Sequence, residues 1–444
     1  MSKKTSNPFV EIHKDFWSKF KAKYKKYATE YFDKIVNKMI ECGDPHFGYT
    51  EYGCMNCGGS RHIVGFTCKT HYCLRCSRVF AEKFVSQLSR KLIPGVVYRH
   101  LILTMPKKLA HGFFFQNKDN PELFNSFYEA GWAFIQDVFS HVTKVNHLKS
   151  GCIMIIHIGG RGANYNPHLH ILVMNGGLDL ITGKWVDLKY FPYKEILPKK
   201  WQYHLLKMVK TFGGDKVKGL VDELWDEYPN GFVNRFKKGY VPNKMRSVVK
   251  YLSRYLARPS ISVKRILKYD KKNDVVVYEY LSHLTDKIEV ETVSIYDFIG
   301  RMIQQILPKG FQRIRYYGLQ ASKSYEKWKE KIKMGQRSRD LIKNNNEIFK
   351  VPTQTYSDRI EKWTGHNPLI CPLCKNRMEV MKVWTKEKGV VFDLLEVLKK
   401  QANSPPKKVR LSLEKADITD PRKFADKINE SKWTQLALDL DFAL

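Results

Sequence analysis

Apolar and aromatic positions recur along this chain of 444 residues with two distinct periods. Between residues 9 and 40, Phe16, Phe20, Tyr24, Tyr27 and Tyr31 fall three or four apart with basic residues between them, which predicts one amphipathic helix or two. The same spacing predicts helices over 77–93, ended by Pro94-Gly95, and over 121–145. Two more follow, at 244–257, ended by Pro259, and at 296–307, stopped by Pro308. Apolar runs rich in β-branched residues predict strands over 97–104, 152–158 and 168–174, and a hairpin from 274–281 and 288–294. Strands and helices alternate irregularly within one block, so the expected fold class is α+β. The chain divides by pattern into a helical segment at 1–41, a cysteine-rich module at 42–95, a main domain at 96–335 and a C-terminal region at 336–444.

Charge narrows the partner. The formal net charge is +33, yet residues 401–444 hold eight Lys/Arg against seven Asp/Glu, so the excess sits in the first 400 residues. A cationic surface of that size suits a polyanion, and nucleic acid is the expected partner. No run approaches the roughly 18 apolar residues of a membrane span, and the first residues lack the apolar stretch of a secretory signal. The chain therefore reads as cytosolic, with no membrane partner. It has no GxxxxGK[ST] loop, which argues against an intrinsic ATP-driven helicase.

Nine cysteines in a reducing compartment point to metal ligands or buried thiols, and six of them fall between Cys42 and Cys76. Cys54-Met-Asn-Cys57 and Cys73-Leu-Arg-Cys76 are separated by fifteen residues, the spacing of a zinc ribbon in which two pairs close one tetrahedron. A structural Zn²⁺ is expected there. Cys42 and Cys68 are further candidates, with His62 and His71 near enough in sequence to complete a second site; the alternative is that both are buried free thiols. Arg61, Lys69, Arg75 and Arg78 flank the module and suit DNA. Cys371-Pro-Leu-Cys374 is half a site, which His366 would extend.

The stretch His157-Ile-Gly-Gly-Arg-Gly-Ala-Asn-Tyr-Asn-Pro-His168-Leu-His170-Ile-Leu-Val carries the chemistry. In a strand, His168 and His170 share one face while Leu169, Ile171 and Val173 take the other. Two imidazoles on an apolar strand are costly unless they bind something, and a divalent cation is the natural partner. If the strands at 152–158 and 168–174 form a hairpin, His157 joins them as a third ligand. Satisfied core or surface histidines would give the same His-x-His pattern. Farther on, Tyr251 and Tyr255 lie one helical turn apart, with Lys250, Arg254 and Arg258 in a second row. A phenol becomes a useful nucleophile beside cations and opposite a metal-polarised phosphate. Packing on an amphipathic helix explains the same two tyrosines if they stand alone.

Taken in order, four features resemble the HUH endonucleases, and among them the two-tyrosine rolling-circle transposases of the insertion sequence ninety-one family. They are the cysteine block from Cys42 to Cys76, NPHLHILV, YLSRYLARPSIS, and ILPKGFQRIRYYGL at 306–319. The resemblance spans about Cys42 to Tyr317, with an echo to Cys374. Tyr72 stands where a histidine is common in the family and Ser77 where a glutamine is. The resemblance implies an HUH-type catalytic domain with a central antiparallel sheet and flanking helices, preceded by a small zinc-binding domain. It implies Mg²⁺ or Mn²⁺ held by His168, His170 and a third residue, for which His157 is the choice. It implies that Tyr251 and Tyr255 each form a 5′-phosphotyrosine on single-stranded DNA, leave a free 3′ hydroxyl, and support strand transfer. The expected partners are single-stranded or hairpin transposon ends, with host replication or helicase factors, in a prokaryotic cytoplasm at the nucleoid. Lys309, Arg313, Arg315, Tyr316 and Tyr317 supply the mix of cations and aromatic faces that single strands favour. The competing readings are a plasmid replication initiator or relaxase with the same nicking chemistry, a non-catalytic zinc-dependent DNA-binding protein, and a zinc hydrolase acting on a small molecule.

Overall fold

In the computed structural model the described residues are 7–70, 72–93, 95–143, 147–160, 162–188, 196–236, 251, 261–282, 285–336 and 355–402. They form an α+β protein whose sheets are antiparallel throughout. The chain separates into two compact units, 1–33 with 77–352 and 34–76 with 353–444.

The larger unit is built on a five-stranded sheet, in the order Ile314–Gly318, Gly151–Gly159, Tyr165–Met174, Tyr98–Leu103, Asn234–Phe236. Period-two alternation gives each strand two different faces. On one face Cys152, Met154, Ile156, Leu169, Ile171, Val173 and Leu101 are buried in one core with apolar residues of helices Pro121–Thr143 and Ile196–Gly213. Gly131 sits where an added Cβ would lie 2.9 Å from Leu169, so the bare backbone lets the first of these helices approach the sheet closely. On the opposite face Ile153, Ile155, Leu172, Met174 and Tyr98 meet Val85, Leu88 and Leu92. The first two of these belong to helix Leu74–Lys91. Tyr325 and Ile332 of helix Tyr325–Gln336 complete that layer.

A second, three-stranded sheet in the same unit runs Ile266–Asp270, Val275–Leu281, Ile288–Ser294, and includes the hairpin expected at 274–294. Helix Pro8–Lys23 starts with Asn7 as N-cap and Pro8 at the first turn, where a missing N–H costs nothing. It places Phe9 against Phe298 and Phe16 against Tyr296 of helix Ile295–Ile303.

The smaller unit holds a four-stranded sheet in the order Gly389–Asp393, Glu379–Thr385, Gly48–Gly53, Arg61–Gly65. Its two halves come from opposite ends of the chain. Among the described residues no helix is long and apolar enough to cross a membrane. The helix expected at 244–257 falls outside the described residues except for Tyr251, which is helical.

Candidate active site and metal centres

Strands Gly151–Gly159 and Tyr165–Met174 pair directly, and their register sets His157 opposite His168. Strict alternation then puts His168 and His170 on the face that His157 also occupies. A ligand atom from each of the three imidazoles lies within 4.8 Å of the others. The ring centroids of His157 and His170 are 4.3 Å apart.

Two neighbours orient these rings. His168 Nδ1 donates to the Asn166 carbonyl at 2.7 Å, which leaves Nε2 for a cation. His170 Nδ1 lies 2.8 Å from His100 Nε2. His100 comes from the adjoining strand Tyr98–Leu103, where it is registered against Leu172 and so faces the same side. Its Nδ1 lies 2.8 Å from the Tyr251 hydroxyl. His100 thus bridges the histidine cluster and one of the two candidate nucleophiles. No sequence motif marks it, because it sits alone in an apolar strand and acquires its role only through the register of three strands.

Tyr255, Lys250, Arg254 and Arg258 lie outside the described residues. Of the aromatic-basic stretch near 309–317, Lys309 is exposed. The other four side chains are engaged at the sheet edge. Arg313 reaches the Ile156 carbonyl at 3.5 Å, and burial pulls its pKa down. The Arg315 guanidinium lies 4.9 Å from the Tyr128 ring centroid, Tyr316 packs on the core, and Tyr317 stacks on Trp132 at 5.4 Å.

The cysteines pair differently from the spacing-based expectation. Cys54 and Cys57 do not join Cys73 and Cys76. One group is Cys42, Cys68, Cys73 and Cys76, and the other is Cys54, Cys57, Cys371 and Cys374. In the first, Cys42 and Cys68 each lie 3.5 Å from Cys76. In the second, Cys54–Cys374 is 3.3 Å and Cys57–Cys371 is 3.6 Å. The edge of a ZnS₄ tetrahedron is about 3.8 Å, so both groups have the size a zinc ion requires. The reason is topological: strands Gly48–Gly53 and Glu379–Thr385 are hydrogen-bonded, and this brings the C-terminal pair to the first one. The Cys374 thiol is pulled down to about 6, first by the Asn376 backbone N–H and then by the Cys54 side chain. Neighbouring thiols pull Cys76 down as well. Cys42 and Cys73 are pushed up in turn by the neighbouring thiols, as befits four sulfurs crowded into one site. Of the histidines considered as extra ligands, His62 and His366 are not in either group: His62 meets the Tyr356 hydroxyl at 3.2 Å and His366 is exposed, while His71 lies outside the described residues. Arg61 pairs with Glu51 at 2.9 Å and Arg75 reaches the Cys42 carbonyl at 3.5 Å. Lys69 adopts a positive φ, and the Arg78 side chain is outside the description.

Residues 12–105 match the family described as "Transposase zinc-binding domain", and residues 151–327 match the family described as "Putative transposase". The chain is 28% identical over 302 residues to the "Transposase for insertion sequence element IS801" of Pseudomonas savastanoi pv. phaseolicola, an alignment covering 65% of this chain and 70% of that protein. It is 25% identical over 396 residues to "Putative transposase y4qJ" of Sinorhizobium fredii, covering 83% of this chain and 93% of that one. No solved structure matches it. With a zinc-binding domain and a transposase domain matched in chain order, and relatives aligned over most of its length, this chain belongs to the IS91 family of transposases.

Proposed function

We propose that this transposase nicks and rejoins single-stranded DNA by a rolling-circle route, through 5′-phosphotyrosine adducts on Tyr251 and Tyr255. The observation that carries the reading is the bridge from the three-histidine cluster through His100 to the Tyr251 hydroxyl. His157, His168 and His170 would hold a divalent cation, Mg²⁺ or Mn²⁺: three imidazoles converge and two are oriented by hydrogen-bond partners, and an all-nitrogen set suits Mn²⁺ better than Mg²⁺. Such an ion would polarise the phosphate and stabilise charge building on its oxygens.

The residues of the chain divide the remaining work. If His170 gives Nε2 to the ion, its Nδ1 must carry the proton and donate to His100 Nε2. The proton of neutral His100 then resides on Nδ1 and is donated to the Tyr251 oxygen. A hydrogen bond to that oxygen favours the phenoxide and aims it. The oxygen attacks phosphorus, the P–O3′ bond breaks, and the phenol proton passes to solvent. The departing 3′ oxygen takes up a proton and leaves as a hydroxyl. The ester bond is conserved in the adduct, so a 3′ hydroxyl can later displace the tyrosine without ATP. The second tyrosine allows another cleavage while the first adduct persists.

Two zinc ions held by the eight cysteines of the smaller unit would be structural. Lys309 and the row Lys250, Arg254 and Arg258 would contact the strand, presented as single-stranded or hairpin element ends in the cytoplasm at the nucleoid, with host helicase or replication factors supplying unwinding. A supercoiled plasmid bearing candidate element ends tests the transposase reading. Joined or excised ends are expected; nicking that never proceeds to joining would instead indicate a replication initiator or relaxase.

A further inference from the structure

The three-stranded sheet of the larger unit has two edges, and they are built differently. Strand Ile266–Asp270 forms one. Its pairing with Val275–Leu281 slips between Ile266 and Lys268, and it carries Lys268 in its middle. A bulge and a lysine are devices that keep an edge from pairing with another chain. Strand Ile288–Ser294 forms the other edge and has neither. It pairs with Val275–Leu281 over its whole length without a shift, from Leu281 opposite Ile288 to Val275 opposite Ser294. It contains no proline and no lysine. Among the described residues, no strand covers its outer side.

The direction of its backbone groups follows from the two ends of the hairpin. The Ser282 N–H donates to the Lys287 carbonyl at 2.9 Å, and the Ile295 N–H donates to the Asp274 carbonyl at 3.0 Å. In an antiparallel ladder, hydrogen-bonded and non-hydrogen-bonded pairs alternate. Odd-numbered residues of the edge strand therefore turn their backbone groups toward Val275–Leu281, while Ile288, Val290 and Thr292 turn theirs to the open side. The same alternation divides the side chains. Glu289 points to the inner face, where Tyr280 and Thr285 bond it. Glu291 points the same way and is bonded by Tyr278 and Arg301. Ile288 and Val290 point to the opposite face and are 66% and 60% exposed. The positions with outward backbone groups are thus also the uncharged ones.

We propose that two copies of this chain associate through Ile288–Ser294, joining their three-stranded sheets edge to edge. The strand is complementary to itself. About a two-fold axis normal to the sheet at Glu289, Ile288 of one copy faces Val290 of the other, and Lys287 faces Glu291. Ile288 and Val290 then exchange about four backbone hydrogen bonds and bring their apolar side chains together. Lys287 and Arg301 of each copy balance Glu289 and Glu291, so the contact carries no net charge in a chain that is otherwise strongly cationic. The same patch serves both copies, as a two-fold contact requires. One strand pair is small beside the roughly 1,200–2,000 Å² of a stable interface, so dissociation in the micromolar range is expected. The association stands independently of the nuclease reading; together they place two histidine clusters in one assembly.

The test uses the full chain, freed of nucleic acid by nuclease treatment and high salt, because a polyanion could bridge two cationic copies. Sedimentation velocity over a concentration series reaching about 100 μM is expected to show a monomer–dimer equilibrium. Hydrogen exchange in peptides covering 288–292 should slow as the dimer forms. Val290→Lys places a charge on the open edge, and Lys287→Glu sets like charges opposite Glu291. Each is expected to weaken the dimer at least tenfold while keeping wild-type thermal unfolding. Leu267→Lys, an exposed position on the opposite edge, is expected to leave the dissociation constant unchanged. A monomer across the whole series would overturn the proposal. So would a dimer that folded Val290→Lys and Lys287→Glu proteins form as tightly as wild type, or one that Leu267→Lys weakens more than Val290→Lys does. None of these readouts involves cleavage, so a chain that dimerises but forms no covalent adduct would count against the nuclease reading alone.

Discussion

The Nδ1 of His100 lies 2.8 Å from the Tyr251 hydroxyl, while its other nitrogen lies 2.8 Å from His170. One imidazole thus spans from a candidate nucleophile to a candidate metal ligand. Partners of this kind fix the tautomer of the ligand and commonly matter about 10- to 100-fold in affinity or activity.

His100→Leu removes both hydrogen bonds from a buried position. The adduct rate in single turnover is expected to fall about 10- to 100-fold, with Mn²⁺ affinity, read by electron paramagnetic resonance, weakened as well. His100→Gln keeps one polar bridge and is expected to recover part of the loss. A folded His100→Leu protein with wild-type rate and Mn²⁺ affinity would remove His100 from the site.

The cysteine pairing makes a stoichiometric prediction. Wild type should carry two zinc ions, and Cys371→Ser or Cys374→Ser should lose one while retaining the other, as measured by elemental analysis. Cys42→Ser should do the same at the opposite group. If Cys371→Ser kept both ions, the grouping of Cys54 and Cys57 with the C-terminal pair would be wrong.

His13 makes stability depend on pH. Burial holds its pKa at about 4 against an ordinary 6.5, while its Nδ1 donates to the Phe9 carbonyl at 2.7 Å. The unfolded chain therefore takes up a proton at a higher pH than the folded one. Its contribution is complete above about pH 6.5 and is lost as pH falls toward 4, amounting at most to about 3 kcal/mol. Chemical denaturation at a series of pH values should show this slope in wild type. It should be flatter in His13→Gln, and an equal slope in both proteins would contradict the assignment.

Tyr317 separates packing from DNA contact. It stacks on Trp132 at 5.4 Å and donates to Glu129 at 2.8 Å. Tyr317→Ala is expected to cost about 2–3 kcal/mol in unfolding free energy. Lys309→Ala should weaken single-strand binding and reduce its salt dependence while leaving stability unchanged. A reversal of these two phenotypes would make Tyr317 a stacking platform for DNA.

Much of the framework was legible from periodicity. The strands expected at 97–104, 152–158 and 168–174 are observed as Tyr98–Leu103, Gly151–Gly159 and Tyr165–Met174, because their apolar runs are buried on both faces. The meeting of His157 with His168 and His170 needed only the hairpin between the last two. His100 was not legible, since its partner across the sheet is 70 residues away. The pairing of Cys54 with Cys374 was hidden for the same reason, across a separation of 320 residues. Local spacing favours the nearest Cys-x-x-Cys; strand pairing brought in the distant one. The track at 309–317 was not separable by sequence into DNA contacts and packing, because cations and aromatics look alike whether they face DNA or, as for Arg315 and Tyr317, also lie against Tyr128 and Trp132.

The central claim is that Tyr251, beside the histidine cluster, forms a covalent bond with DNA. The full chain is incubated with a panel of single-stranded oligonucleotides and Mg²⁺ or Mn²⁺, run on a denaturing gel, and the adducted peptide is identified by mass spectrometry. A metal-dependent adduct is expected on Tyr251 or Tyr255, absent from His168→Ala and from Tyr251→Phe/Tyr255→Phe. No adduct from wild type across the panel, or an adduct that survives in the double-phenylalanine protein, would contradict it.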